Sequence, residues 1–156
     1  MFITEDGQRG RMVEVIGRGE PAMMLCHWTG IYWNGQELGF KIFQEVVRRL
    51  HARYDHLVWM KLSEVARYWA ARELTRIDQH EHRIAFRAPF ACADFTIRFE
   101  SASALPPRLR TNATSVQLRE AAGLRQLQPG TWHRQNQTLT ACIALPEGSS
   151  WLEWTG

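Results

Sequence analysis

Two kinds of hydrophobic pattern divide the chain. AMMLCHW at 22–28 and HLVWM at 56–60 are short apolar runs without polar alternation, the pattern of strands buried on both faces of a parallel sheet. Between them Phe40, Phe43, Val46, Val47 and Leu50 recur at helical spacing, with Lys41, Gln44, Arg48 and Arg49 on the opposite side. Asn34-Gly35 marks a turn ahead of that helix. After the second run, Ser63 is placed to cap a helix, with Glu64 at its positive end and Val65, Ala66, Trp69 and Ala70 as its apolar stripe. The order strand, helix, strand, helix predicts a right-handed crossover, with a further edge strand expected at 12–16.

From residue 77 helical spacing gives way to alternation. The segments 83–90, 94–101, 115–120, 137–145 and 150–154 read as short strands, separated by Pro106-Pro107, Gly123, Pro129-Gly130 and Pro146 to Gly148. The expectation is therefore α/β plus all-β: a βαβα portion over 1–76 and a small antiparallel, sandwich-like β domain over 77–156. Two or three parallel strands with two helices cannot cover both faces of a parallel sheet. The first portion is thus expected to be the end of a larger α/β domain, completed by an N-terminal domain upstream, by the β region or by a second copy in a homodimer.

Composition narrows the functional classes. Of 156 residues, 45% are hydrophobic and 22% charged, which is globular composition. The net charge of +3 is mild, and the one basic cluster, Arg48, Arg49 and Arg53 with His51, falls on the polar side of a helix, so no nucleic-acid partner is expected. No apolar run approaches the roughly 20 residues that span a bilayer, so no membrane partner is expected. The first eleven residues lack the pattern of a signal peptide; a bacterial cytoplasmic location is the expectation, with location otherwise open. Cys26, Cys92 and Cys142 form no paired motif and read as buried free thiols. Asn112-Ala-Thr114 and Asn136-Gln-Thr138 match the glycosylation acceptor pattern, which carries meaning only in a secretory setting.

His27 is the first candidate for chemistry, because it ends the first apolar run, where parallel α/β sheets gather their ligand sites. A histidine there exchanges protons near neutral pH. Seven tryptophans are present, and Trp28 and Trp33 flank the loop WTGIYWNG. Trp28, Tyr32, Trp33 and Asn34 could stack on and hydrogen-bond a sugar; equally, Tyr32 and Trp33 could staple the loop to the fold. His80 and His82, with Asp78 and Glu81, stand two apart as on one strand face, but lack a third ligand nearby. His51 and His56 bracket a helix end and a strand start, a structural position.

Leu25-Cys26-His27, followed one helix later by HLVWMKLSEVARYW with Leu62-Ser63-Glu64, resembles the last barrel segment of polysaccharide deacetylase-like proteins, the NodB homology domain. The resemblance covers about residues 10–75. It implies that this portion is the terminal strand–helix part of a (β/α) barrel-like domain. It further implies a glycan substrate, His27 as the general acid that protonates the leaving amine, and Leu25 in the pocket for the acetyl methyl group. The chain departs from the family in having no Asp-Asp pair and no His-x-x-x-His. Metal-assisted deacetylation needs both, since the ion, such as zinc, lowers the pKa of a bound water and a carboxylate takes its proton. No cofactor is therefore expected within this chain; the divalent metal belongs to the complete family site, and these 156 residues alone are expected to be inactive. The contrasting expectation is a non-catalytic carbohydrate-binding or structural module.

Overall fold

A computed structural model describes residues 1–55 and 57–154, which fall into two compact units, Met1–Trp59 and Met60–Gly156. The first unit is helical. It contains α1 (Arg11–Gly17), the single-turn α2 (Trp28–Ile31), a 3-10 turn at Trp33–Gly35 and α3 (Leu38–Arg53). Val46 and Leu50 of α3 are buried with Ile3 and Met12, and Val13, Ile16, Met24, Tyr54 and Leu57 pack around them. The long amphipathic helix is where its apolar spacing places it. The edge strand expected at 12–16 is instead α1: Met12, Val13 and Ile16 meet the cluster at helical, not alternating, intervals.

The two parallel strands expected at 22–28 and 56–60 are corrected as well. Residues 21–27 and 57–61 form no ladder, and α2 begins at Trp28 inside the first of these runs. His56 lies outside the described residues. A strand exists only by pairing, and among the described residues no strand pairs with these runs. No closed barrel forms among the described residues.

The second unit opens with α4 (Leu62–Leu74). Its cap is Lys61, not Ser63, and the Lys61 backbone N–H donates to Glu64 Oε2 at 2.7 Å. A lysine side chain has no acceptor, so only the glutamate half of a capping box is made. The buried side of α4 runs through Val65, Tyr68 and Ala71, whereas Trp69 is exposed beneath the Arg72 guanidinium at 5.7 Å. The expected stripe through Ala66 and Trp69 is thus rotated by about one residue.

Among the described residues nine strands follow: β1 (Arg76–His80), β2 (Arg83–Ala88), β3 (Cys92–Glu100), β4 (Arg108–Arg110), β5 (Ser115–Gln117), β6 (Arg119–Glu120), β7 (Thr131–Gln135), β8 (Thr138–Leu145) and β9 (Gly148–Glu153). They make a five-stranded sheet in the order β1-β2-β9-β4-β5 and a four-stranded sheet in the order β3-β8-β7-β6. All pairs are antiparallel except β6 with β7. Both sheets feed one apolar cluster, in which Ile84 and Phe86 of β2 and Leu152 of β9 join Phe95 of β3 and Leu139 and Ile143 of β8. Phe86 meets Phe95 edge to face, with centroids 6.1 Å apart, and Phe99 stacks on Trp154 at 4.7 Å. Cys92 and Cys142 are buried free thiols whose pKa burial pushes up. Cys26 was expected to share that state and is exposed.

Candidate functional site

The WTGIYWNG loop is built by one close approach. The backbone of α3 at Gly39 lies against the Gly30 carbonyl, so a Cβ at residue 39 would occupy the position of that oxygen. Asn34 and Gly35 both adopt positive φ, 49° and 71°, which turns the chain back towards α3. The loop is thereby folded onto the first turn of the helix. Tyr32 stacks on Phe40 with centroids 6.3 Å apart, and Trp28 leans on Tyr32 at 4.9 Å. Of the two readings of these aromatics, Tyr32 takes the stapling position, while Trp28 and Trp33 present their rings to solvent, 74% and 63% exposed.

His27 stands at the head of this loop as the N-cap of α2, with extended φ/ψ of −92° and 139°. Its carbonyl accepts the N–H groups of Gly30 at 2.9 Å and Ile31 at 3.1 Å. Its imidazole is exposed and belongs to no group of three converging His, Cys, Asp or Glu side chains among the described residues. Leu25, two residues earlier, is 82% exposed. The structure therefore places His27, Trp28 and Tyr32 on one short loop, with Leu25 and Trp33 on either side. A divalent metal needs three or four convergent donors, and the described residues of this chain do not supply that set.

The remaining histidines are scattered. His80 ends β1 opposite Arg83, and His82 lies in the following turn 3.5 Å from Glu81. His51, in the last turn of α3, accepts the Trp59 indole N–H at 3.0 Å, with ring centroids 5.7 Å apart. That contact fixes Trp59 against the helix end and gives His51 a structural role. The basic cluster is likewise engaged: Arg48 and Arg49 both donate to Glu45 at 2.7 Å, and Arg53 donates to Gln8 at 2.8 Å. The paired arginines hold the Glu45 carboxyl down at about 2.

Sequence reasoning did not anticipate the groove beside α3. A cavity of about 410 Å³ is lined by Met12, Ile16, Met24, Val46, Leu50 and Trp59, among others. Its walls are α1, α3 and residues of the two apolar runs expected as strands. Residues 22–26 and 57–59 make no backbone hydrogen bonds among the described residues. Met23, Leu25, Val58 and Trp59 are exposed beside it. Comparison with known family models, with curated proteins and with solved structures finds no match to this chain.

Proposed function

We propose that the chain is the C-terminal portion of a polysaccharide deacetylase-like, carbohydrate-active hydrolase, which removes acetyl groups from a glycan once the rest of its site is present. The observation that carries this reading is the state of the runs 22–26 and 57–59. Both are apolar and, among the described residues, neither helical nor paired in a ladder, and they flank an amphipathic helix in the order a strand–helix–strand unit requires. Met23, Leu25, Val58 and Trp59 leave apolar side chains in solvent, surface that a neighbouring strand and its covering layer would bury. On this reading the first unit is the helical layer of a (β/α) barrel-like sheet, and upstream strands supply the partners. The two sheets of the second unit are the layers of an appended β-sandwich.

The first run then ends at His27, on the edge of the sheet where the chemistry is done. When the C–N bond to the acetyl group breaks, His27 delivers its proton to the leaving amine, and Leu25 lines the pocket for the methyl group. The donor set for the metal and the base comes from outside this chain, and no step is assigned to them here. The test is acetate release from N- or O-acetylated oligosaccharides, with added divalent metal, by a form extended upstream. Release that falls at least about a hundredfold in His27→Ala supports the role. Undiminished release in that variant removes His27 as the acid, and no release by the extended form removes the reading.

A second reading, a non-catalytic carbohydrate-binding module, is favoured by one observation: Trp28 and Trp33 present exposed rings from a loop stiffened by Gly39 and Tyr32. Calorimetric binding of neutral oligosaccharides by the 156-residue chain, abolished in Trp33→Ala, supports it; absence of binding rejects it.

A further inference from the structure

The outward face of the five-stranded sheet has a composition unlike the rest of the molecule. Ile84, Phe86 and Ala88 of β2 and Ser150 and Leu152 of β9 are buried. The alternate residues, Arg83, Ala85 and Arg87 on β2 and Ser149, Trp151 and Glu153 on β9, therefore face outward. Register extends this face across the sheet, because directly opposed residues share a side. Arg76 lies opposite Arg87 and Asp78 opposite Ala85. Trp151 lies between Ala85 and Arg110, and Glu153 between Arg83 and Arg108. One tryptophan is thus ringed by five arginines with two carboxylates among them. That is a net +3 on one face, as large as the formal charge of the whole chain.

The tryptophan is held in place. Its Nε1 donates to Glu153 Oε2 at 3.2 Å, Arg110 Nη1 donates to Glu153 Oε1 at 2.9 Å, and the Arg110 guanidinium stands 6.0 Å from the ring centroid. On the other flank the residue opposite the part-buried ring is the small Ala85. Arg76, Arg83 and Arg87 have no side-chain hydrogen bond or ion pair among the described residues. Their guanidinium groups remain available as bidentate forks for carboxylates.

We propose that this face binds an acidic glycan, a polysaccharide carrying carboxylates on rings spaced along an extended chain. The arginines pair with the carboxylates, the Trp151 ring takes the apolar side of one sugar, and Asp78 and Glu153 accept hydroxyl protons. Single-stranded nucleic acid fits less well. It carries a charge on every residue, which the two interleaved carboxylates repel, and it favours several aromatic platforms where this face has one. The inference stands on the second unit and does not depend on the deacetylase reading.

The test is calorimetric titration of the 156-residue chain with oligogalacturonate, a neutral cello-oligosaccharide and oligothymidylate, with folding of each variant checked by circular dichroism. Oligogalacturonate is expected to bind, more weakly as salt rises, while the neutral sugar does not bind at this face. Arg83→Gln and Arg87→Gln should each weaken binding about tenfold, and Arg87→Glu more than that. Trp151→Phe should weaken it by a smaller factor, keeping a ring but losing the indole clamp to Glu153. Arg11→Gln, in the first unit, should leave it unchanged. The proposal is overturned by the absence of oligogalacturonate binding at low salt, by tighter binding of oligothymidylate, or by equal losses in Arg11→Gln and Arg87→Gln.

Discussion

In the second unit Ile84, Leu139, Ile143, Leu145 and Leu152 are at most 1% exposed, and two sheets supply the partners of every described strand. In the first unit the buried apolar set is Ile3, Met12, Val46 and Leu50, while Met23, Leu25, Trp28, Val58 and Trp59 face solvent. The two share one composition, so hydrophobicity alone does not close a core. Some antiparallel pairs of the second unit form through short turns between sequence neighbours, as β1 with β2 and β7 with β8, and the longer-range pairs β2–β9 and β3–β8 are also completed within the unit. Parallel strands need neighbours from distant parts of a chain. The runs 22–26 and 57–59 have the composition of such strands without the neighbours.

Breaking the comparison begins with the cores. Ile143→Ala, at a site with no exposure, should cost about 3–4 kcal/mol, and Val46→Ala in the first unit about 2 kcal/mol, read as shifts of urea midpoints. An equal or larger loss for Val46→Ala would mean that the first unit is as tightly packed as the second. Gly39→Ala sets a Cβ against the Gly30 carbonyl and should cost about 2 kcal/mol, with loss of the near-ultraviolet signal of the Trp28–Tyr32 pair. Wild-type stability and spectrum in that variant would show that the aromatic loop does not rest on α3. Glu64→Ala removes the acceptor at the Lys61 N–H and should lower the stability of the second unit by about 1 kcal/mol in the same urea titration.

The smallest effect sharpens the picture of α3. Glu45 has a folded-state pKa depressed to about 2, chiefly by the hydrogen bonds from Arg48 and then Arg49. A depressed carboxylate contributes stability above its unfolded value of 4.5, and that contribution is lost as the pH falls towards about 2. Helicity of the first unit should therefore decline over that window, and Glu45→Gln should flatten the decline. An unchanged acid profile in Glu45→Gln would place the acid sensitivity elsewhere.

Much of the second unit is legible from alternation alone, since half-buried antiparallel strands write their two faces directly into the sequence. β1, β4 and β7 escape that reading for physical reasons. β1 is an edge strand exposed along its whole length, β4 is three residues long, and the TWHRQ run of β7 carries one apolar residue, Trp132, too few to show a period. α3 is legible because its apolar spacing is regular. α1 was misread because Met12 to Ile16 is short enough to fit either period, and packing against Val46 and Leu50 decided for the helix. His27 is legible as a residue at a strand-like end, but its neighbours in space are not, because the sequence records order and the site is made by convergence. The arginine face around Trp151 was invisible for the same reason: its members come from four strands and meet only through register.

On the proposed reading, the runs 22–26 and 57–59 become strands once neighbours from outside these 156 residues join them. Amide hydrogen exchange, followed by mass spectrometry on the 156-residue chain and on an upstream-extended form, tests it most directly. The expected result is near-complete exchange of both runs within seconds in the 156-residue chain beside strong protection of β8 and β9, and slowing of both runs by at least about a hundredfold in the extended form. Protection of these runs in the shorter chain, or unchanged rapid exchange in the extended one, would contradict it.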